Sequence, residues 1–275
     1  MPAPNRRLIV NADDFGRSSS INRAVIQAHQ RGILTTASLM VNGAAVEEAV
    51  ELAREHPCLG VGLHLTLSNG TSALPNAEIP DLVDSVGNFS NGPVAAGLKY
   101  FALRRCRAQL AREVAAQFEK FRATGLPLDH VNGHLQFHLH PTVFSIILPN
   151  ARAWGIDRMR VTREPFFINA RLARGHWLYR ISHAIIFKIL GARSAAILDH
   201  SKIRYTPRVF GLLQNARVDE NYIRKLLPQL PAGDSELYSH PSLDEFRHEY
   251  DALVSPAVRE DVERLEIKLI RYADL

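Results

Sequence analysis

Short apolar runs alternate with longer stretches of helical spacing along most of the chain. Residues 8–10 form a run rich in β-branched side chains, which is typical of a strand buried on both faces. The run leads into Asn11, Asp13 and Asp14 and stops at Gly16, where the backbone turns freely. The same pattern predicts further strands at residues 35–41, 59–67, 129–132, 158–161, 236–239 and 267–272.

Helices are predicted between these strands. Hydroxyl groups at residues 18–20 offer an N-cap for a helix that ends ahead of Gly32. Residues 68–93 hold too much Gly, Pro, Asn and Ser for regular structure, so we expect a long functional loop there. Apolar spacing predicts other helices at residues 44–55, 95–124, 142–154, 171–190 and 217–227, with two more before the last strand.

Strands that alternate with helices favour parallel βα units. The fold class expected is therefore α/β: a single-domain, irregular TIM-like (β/α) barrel over residues 1–275, with its active site at the carboxyl ends of the strands. The 275 residues, 46% of them hydrophobic, suffice for one large core.

Composition narrows the class of protein. No window holds the ~18 uninterrupted apolar residues of a membrane span. Cys58 and Cys106 are too far apart in sequence to suggest a zinc ribbon or a disulfide framework. Residues 1–7 lack the apolar core of a secretory signal, so we expect a cytoplasmic protein.

The net charge of +5 is unevenly distributed. Residues 152–208 contain twelve basic and three acidic residues. This excess is compatible with nucleic acid, an anionic membrane surface or a solvated face. Nucleic acid is disfavoured, because no basic and aromatic residues interleave as in a binding motif.

A basic amphipathic helical insert is predicted around residues 165–205. Its helix has apolar positions at Leu178, Ile181, Ile185 and Ile189. One interpretation is a helix that packs on the barrel. The other is a helix on an anionic membrane surface, since basic residues flank the apolar ones. The flanking residues are Arg171, Arg174, Arg180 and Lys188.

Two adjacent carboxylates, Asp13 and Asp14, follow the first strand. Such charges must be solvated, paired or bound to metal. A solvated loop with an N-cap for the next helix is the simpler interpretation. The carboxyl end of a barrel strand, however, is where active sites form.

Histidines lie at two further strand ends. His64 is near the end of the third strand, and four more follow the strand at residues 129–132. His64 alone could be a packed core residue, whereas four histidines within eleven residues are rare by chance. Two imidazoles and a carboxylate, with water at the remaining positions, describe an open site for a catalytic divalent ion. The four clustered residues are His130, His134, His138 and His140.

His240 follows another strand and precedes Pro241. A histidine at that position can change protonation near neutral pH, which suits a general acid. A purely structural role is the alternative.

Several of these segments occur in the order found in YdjC-like carbohydrate deacetylases, which the chain resembles from residue 8 to the last strand. Within that family the sequence is most similar to members associated with hopanoid biosynthesis. The matching motifs are Asn11-Ala12-Asp13-Asp14-Phe15-Gly16, Val41-Asn42-Gly43, Gly62-Leu63-His64-Leu65-Thr66, His130-Val131-Asn132-Gly133-His134, His138 and Leu237-Tyr238-Ser239-His240-Pro241.

The resemblance implies removal of N-acetyl groups from sugars with one divalent metal ion. Carried over by position, the metal ligands become Asp14, His64 and His134. Asp13 becomes the general base, His240 the general acid and Arg160 the residue that orients the base. Zinc is the favoured ion, and magnesium or another divalent ion is the alternative. The residues expected to support these groups or to contact substrate are Asn11, His130, Asn132 and His138.

The chain departs from the family pattern at two positions, where Asn132 replaces the usual Asp and Gln136 the usual His. The first change removes a carboxylate that could orient a metal-bound imidazole.

The substrate expected from the resemblance is an N-acetylglucosaminyl lipid, in particular a glycosylated hopanoid, met at the inner face of the membrane. A soluble chitooligosaccharide or another N-acetylated sugar is the alternative. A homodimer fits the family, and no nucleic-acid partner is expected.

Overall fold

The structure is a computed structural model that describes residues 5–172, 175–214 and 216–275. In this part of the chain all strand pairs are parallel, and the strands form one sheet. The strands are β1 Arg6–Phe15, β2 Thr36–Leu39, β3 Gly60–Leu65, β4 Val131–Gly133, β5 Val209–Phe210, β6 Gly233–Ser239 and β7 Lys268–Leu269.

The sheet is curled into an incomplete barrel. Its hydrogen-bonded order is β4-β3-β2-β1-β6-β5, and β7 lies beside the start of β1. Beyond β4, Met159 forms a parallel bridge with Val131, and Arg158 forms another with Arg204. These bridges continue the curve past the last regular strand. The predicted α/β, TIM-like fold is therefore confirmed, in an irregular form.

Helices cover the outside of the curled sheet. The predicted N-cap of the first helix is present, because Ser18 Oγ accepts a hydrogen bond from the backbone N–H of Ile21 at 3.3 Å. A short 3₁₀ segment, His134–Leu139, follows β4. The helices are α1 Ser19–Arg31, α2 Val46–Glu55, α3 Pro93–Ala102, α4 Arg104–Ala123, α5 Pro141–Asn150, α6 Phe166–Leu172, α7 Trp177–Leu198, α8 Glu220–Leu226, α9 Arg247–Val254 and α10 Pro256–Arg264.

Four predicted elements differ from the structure. The last strand, predicted at residues 267–272, is regular only over Lys268–Leu269. The helix predicted at residues 95–124 is two helices, because Leu103 is extended and packs against the core between them. The strand predicted at residues 158–161 consists only of the two isolated bridges. The helix predicted at residues 171–190 corresponds to the end of α6 and most of α7, and residues 173 and 174 of that prediction lie outside the described residues.

Alternate residues of β1 face two different interiors. Leu8 and Val10 belong to the main hydrophobic core, whereas Ile9 packs with Ile270 and Tyr272 in a smaller cluster. This is the two-residue period of a strand that is buried on both faces, as its composition predicts. The side chains that follow Ile9 on the same face are polar, and they lead to the carboxyl edge of the sheet.

Gly62 in β3 leaves room for a neighbouring histidine inside the barrel. A Cβ atom at Gly62 would lie 2.5 Å from both the Cε1 atom and the backbone carbonyl oxygen of His130. No rotamer change relieves the contact with the carbonyl. The spacing of β3 and β4 therefore requires glycine at this position.

We expect Gly62→Ala to destabilise the protein by about 2 kcal/mol, because the extra methyl group must displace backbone. Gly97→Ala in α3 is the matched control. Its Cβ would have no neighbour closer than 3.8 Å, and alanine favours helix by about 1 kcal/mol over glycine. Urea unfolding of both variants measures the difference. Equal stability of the two variants would contradict this account of the barrel interior.

Candidate active site

A cavity of about 680 Å³ opens at the carboxyl edge of the sheet. The ends of β1, β3, β4 and β6 each contribute a polar side chain to it, because the carboxyl ends of parallel strands meet at one edge. The polar residues at its base are Asp13, Asp14, His64, His134 and His240.

Asp13 and Asp14 are adjacent in β1, yet both line the cavity. Consecutive side chains of a regular strand point to opposite faces. Here the backbone of Asp14 is left-handed, with φ of 65°, and the β1–β2 register shifts between Ala12 and Phe15. The irregularity brings both carboxylates to one side. A left-handed conformation at a buried non-glycine residue is costly and is typical of functional sites.

Asp14, His64 and His134 form a compact buried cluster. The Nε2 atom of His64 lies 3.2 Å from Oδ1 of Asp14, and Nδ1 of His134 lies 2.9 Å from the same oxygen. One donor atom from each residue falls within 4.8 Å of the others. Burial would raise the pKa of Asp14, but the two imidazoles hold it well below its usual range. The residues therefore fit a divalent ion bound by one carboxylate and two imidazoles.

Asn132 fixes the orientation of one of these imidazoles. Its Oδ1 atom accepts a hydrogen bond from Nδ1 of His64 at 2.7 Å. Because Nδ1 is engaged by Asn132, the Nε2 atom of His64 faces Asp14 and is the nitrogen available to a metal ion. The side chain of Asn132 can thus orient this imidazole, although it is an amide and not the carboxylate expected from the resemblance.

Arg160 holds the second carboxylate of the pair. Its guanidinium donates to both oxygens of Asp13, at 2.7 and 2.9 Å, and also to Oε1 of Glu236, at 2.7 Å. The three side chains are buried. Burial alone would raise the pKa of Asp13, but Arg160 and His64 outweigh it and hold that pKa well below its usual range. Asp13 is therefore ionised and fixed in position.

Three further polar side chains complete the surroundings of Asp13. The amide of Asn11 donates to Asp13 Oδ1 at 2.8 Å, and the amide of Asn132 donates to the same oxygen at 3.1 Å. Both amides also donate to the hydroxyl of Ser38, at 3.0 and 2.8 Å. Every buried group of this network thus has a partner, as burial requires.

His130 lies behind the cavity and does not line it. Its Nε2 atom is 2.9 Å from the hydroxyl of Ser38, and its Nδ1 atom is 3.1 Å from Oδ2 of Asp129. The ring stacks on Tyr272 with centroids 4.3 Å apart. These contacts support the network from below.

His138 is also buried away from the cavity. Burial lowers the pKa of its imidazole to about 3, so the ring is neutral. Its Nε2–H donates to the backbone carbonyl of Arg160 at 3.0 Å. His138 therefore helps to hold the segment that carries the guanidinium. His140, the last of the four histidines that follow β4 closely in sequence, lines the cavity and forms a hydrogen bond with the backbone carbonyl of Gly97.

His240 reaches the cavity from the end of β6. Its side chain is 26% exposed, and its Nδ1 atom lies 3.8 Å from Oε2 of Glu249. The backbone N–H of His240 donates to the same carboxylate. A buried glutamate thus fixes the backbone from which this imidazole extends into the cavity.

Four residues of the site were not predicted from the sequence: Arg17, Ser38, Glu236 and Glu249. Arg17 lines the cavity, and its guanidinium lies 2.9 Å from Oδ2 of Asp14. Glu236 offered a signal, because a carboxylate that opens a buried apolar strand needs a cationic partner. Ser38 and Glu249 gave none, since their roles depend on contacts between elements distant in sequence.

The outer part of the cavity is apolar. One wall comes from α3, through Val94, Leu98 and Phe101, and the other comes from α7, through Ile186 and Leu190. A few polar groups at the base of a cavity with apolar walls are typical of small-molecule binding sites.

Two similar proteins are described as deacetylases. The carbohydrate deacetylase of Brevibacillus brevis is 39% identical over 150 residues, which cover 54% of this chain and 57% of that protein. The chitooligosaccharide deacetylase of Serratia marcescens is 33% identical over 164 residues, 57% of this chain and 60% of that protein. This chain thus matches 57–60% of the length of these curated relatives.

The fold and the family are both matched over nearly the whole chain. A solved protein of Enterococcus faecalis V583 superposes with a TM-score of 0.76 at 24% identity and covers 98% of each chain. This likeness concerns the fold alone. The model of the family described as YdjC-like protein matches residues 7–264. The chain therefore belongs to the YdjC-like family, as its motifs indicate.

Proposed function

We propose that this protein is a metal-dependent N-deacetylase, which hydrolyses the acetamide of an N-acetylated amino sugar to acetate and a free amine. The observation that carries the proposal is the buried cluster of Asp14, His64 and His134 beside a second, separately held carboxylate. Relatives described as carbohydrate and chitooligosaccharide deacetylases support the same reaction class.

Asp13 is the proposed general base. A divalent ion held by Asp14, His64 and His134 would polarise the acetamide carbonyl and lower the pKa of water from ~16 towards ~7. Asp13 is ionised and accepts the proton of the attacking water at its carboxylate. The paired hydrogen bonds from Arg160 prevent the carboxylate from rotating during this transfer.

His240 is the proposed general acid. The amine of the sugar is a poor leaving group unless it is protonated. The imidazole of His240 lines the same cavity as Asp13, and it is the more exposed of the two. It delivers a proton to the departing nitrogen, while Glu249 holds its backbone in place.

Zinc is the ion that we propose, since two imidazoles and one carboxylate are common ligands of catalytic zinc. Magnesium is the alternative, although it prefers oxygen ligands and retains several waters.

The proposed substrate is an N-acetylglucosaminyl lipid such as a glycosylated hopanoid, deacetylated on the cytoplasmic side of a membrane. The support for this choice is the pair of apolar walls above a polar base. Soluble chitooligosaccharide is the second candidate, and the name of the Serratia marcescens relative favours it.

Two substitutions should separate the base from the ligands. We expect Asp13→Asn to retain the metal but to lower kcat by about 10²–10⁴-fold, because the proton acceptor is lost. His134→Ala should lose both metal and activity. Elemental analysis alongside an acetate-release assay measures both. Full activity of Asp13→Asn would exclude Asp13 as the base.

A third substitution tests the hydrogen bond between His64 and Asn132. Asn132→Ala removes the acceptor for Nδ1 of His64, so we expect metal affinity to fall about 10–100-fold. Asn150→Ala is the control, because Asn150 caps a carbonyl in α5 away from the site. Titration of the apoprotein with zinc gives both affinities. Unchanged affinity of Asn132→Ala would show that the imidazole is oriented by other groups.

Acetate release also distinguishes the substrates. We expect a higher kcat/KM on an N-acetylglucosaminyl hopanoid than on N,N′-diacetylchitobiose, because only the former fills the apolar walls of the cavity. Equal values for both acceptors would contradict the lipid-linked assignment while leaving the deacetylase in place.

A further inference from the structure

Exposed large apolar side chains are concentrated on two helices. Among the residues that the structure describes, nine of the twelve such side chains belong to α3 and α7. Of the others, Leu135 follows His134 in the 3₁₀ segment, and Phe167 lies in α6. Val86 alone lies in the long loop. Contiguous apolar exposure of this kind marks a binding surface rather than random variation.

The outward face of α7 is apolar along most of its length. Leu178, Ile181, Ile185 and Ile189 follow the three- and four-residue spacing of one helix face, and they are 45–89% exposed. This face is different from the one that borders the cavity through Ile186 and Leu190. The apolar positions of the predicted insert therefore do not pack on the barrel.

α7 is also long and apolar for a surface helix. Its 22 residues include a window of mean hydropathy 1.5, of which 22% is buried. Length and composition of this kind occur in core helices and signal sequences as well, so they do not identify a membrane span. An exposed helix with such a window nevertheless needs a partner that covers it.

The second helix, α3, was not singled out from the sequence. Val94, Leu98 and Phe101 are 67–77% exposed, and their spacing places them on one face. The same three side chains form a wall of the cavity. Apolar surface thus continues from the cavity walls to the outside of the molecule on both helices.

The charged side chains within α3 and α7 themselves are all basic. Residues 93–112 contain five basic residues and no acidic one, and residues 165–198 contain basic residues and no acidic one. Lys99, Arg104, Arg107, Lys188 and Arg193 are exposed. Two copies of this chain would bring like charges together if these faces met, which disfavours a dimer here. Anionic lipid headgroups have the complementary charge.

One basic residue expected to flank the membrane helix does not do so. Arg180 is buried, and its guanidinium donates to the backbone carbonyls of Leu213 and Asn169. Its position in the helix turns it toward the protein, where these carbonyl groups accept its hydrogen bonds. Arg174 lies outside the described residues.

We propose that α3 and α7 together form a docking surface for an anionic lipid bilayer, so that the cavity between them opens onto the membrane. The surface supplies a lipid-linked substrate directly from the bilayer, and in this respect the proposal rests on the proposed function. Apolar side chains enter the interface, while the surrounding lysines and arginines contact headgroups.

Vesicle co-sedimentation of the full chain tests the proposal. We expect pelleting with phosphatidylcholine vesicles that contain phosphatidylglycerol, and weak pelleting with phosphatidylcholine alone. The double variant Ile185→Glu, Ile189→Glu should lower the partition coefficient at least about tenfold, because charge is placed in the apolar interface. Leu98→Glu in α3 should lower it independently.

Val86→Glu is the matched control, because Val86 is 74% exposed, belongs to the long loop, and lines a pocket that contains no residue of α3 or α7. It should bind vesicles like the unmodified protein. The Ile185, Ile189 variant should still release acetate from a soluble N-acetylated sugar, since neither residue lines the cavity. Loss of vesicle binding with that activity intact separates docking from the chemistry.

Three outcomes would overturn the proposal. One is no pelleting of the unmodified protein with anionic vesicles. Another is a partition coefficient that falls equally in the Val86 variant and in the Ile185, Ile189 variant. The third is a dimer, detected by sedimentation velocity, that dissociates in the Ile185, Ile189 variant while vesicles are not bound, because a second copy would then be the partner.

Discussion

The buried guanidinium of Arg160 is the interaction on which the site depends. It lies between Asp13 of β1 and Glu236 of β6, and all three side chains are withdrawn from water. Removing charges from water is costly, and only close, well-oriented pairing offsets that cost. The guanidinium forms a bidentate pair with Asp13, and the centroid of the Tyr238 ring lies 4.3 Å from its central carbon. The strands must therefore keep their positions for the charges to be tolerated.

That constraint separates two carboxylates that are neighbours in sequence. Asp13 is engaged by Arg160 and by amide donors, whereas Asp14 faces two imidazoles. The left-handed backbone at Asp14 allows both to face the same cavity. Different surroundings can give chemically identical side chains different tasks, and we propose such a division here between a proton acceptor and a metal ligand. The strain at Asp14 is compensated by the surrounding network.

Much of the fold and of the site follows from local sequence. The apolar run at residues 8–10 and the polar residues after it indicate a buried strand that ends in functional side chains, and β1 has this form. The break between α3 and α4 could not be predicted, because Leu103 is no helix breaker and its extended backbone follows from packing. Glu236 and Ser38 join the site only through contacts between distant strands. Periodicity within one segment carries no information about such contacts.

The outward face of α7 shows the same limit. Its spacing predicts an apolar stripe but does not decide whether protein or lipid covers it. The structure shows the stripe exposed, with the cavity on another side of the helix.

The central claim is that Asp14, His64 and His134 bind one metal ion. Anomalous diffraction from crystals grown with zinc tests it most directly. The account predicts one zinc ion within about 2.0–2.2 Å of a carboxylate oxygen of Asp14 and of one imidazole nitrogen each from His64 and His134, with Asp13 still paired to Arg160. An ion bound elsewhere, or bound by Asp13 in place of Asp14, would contradict it.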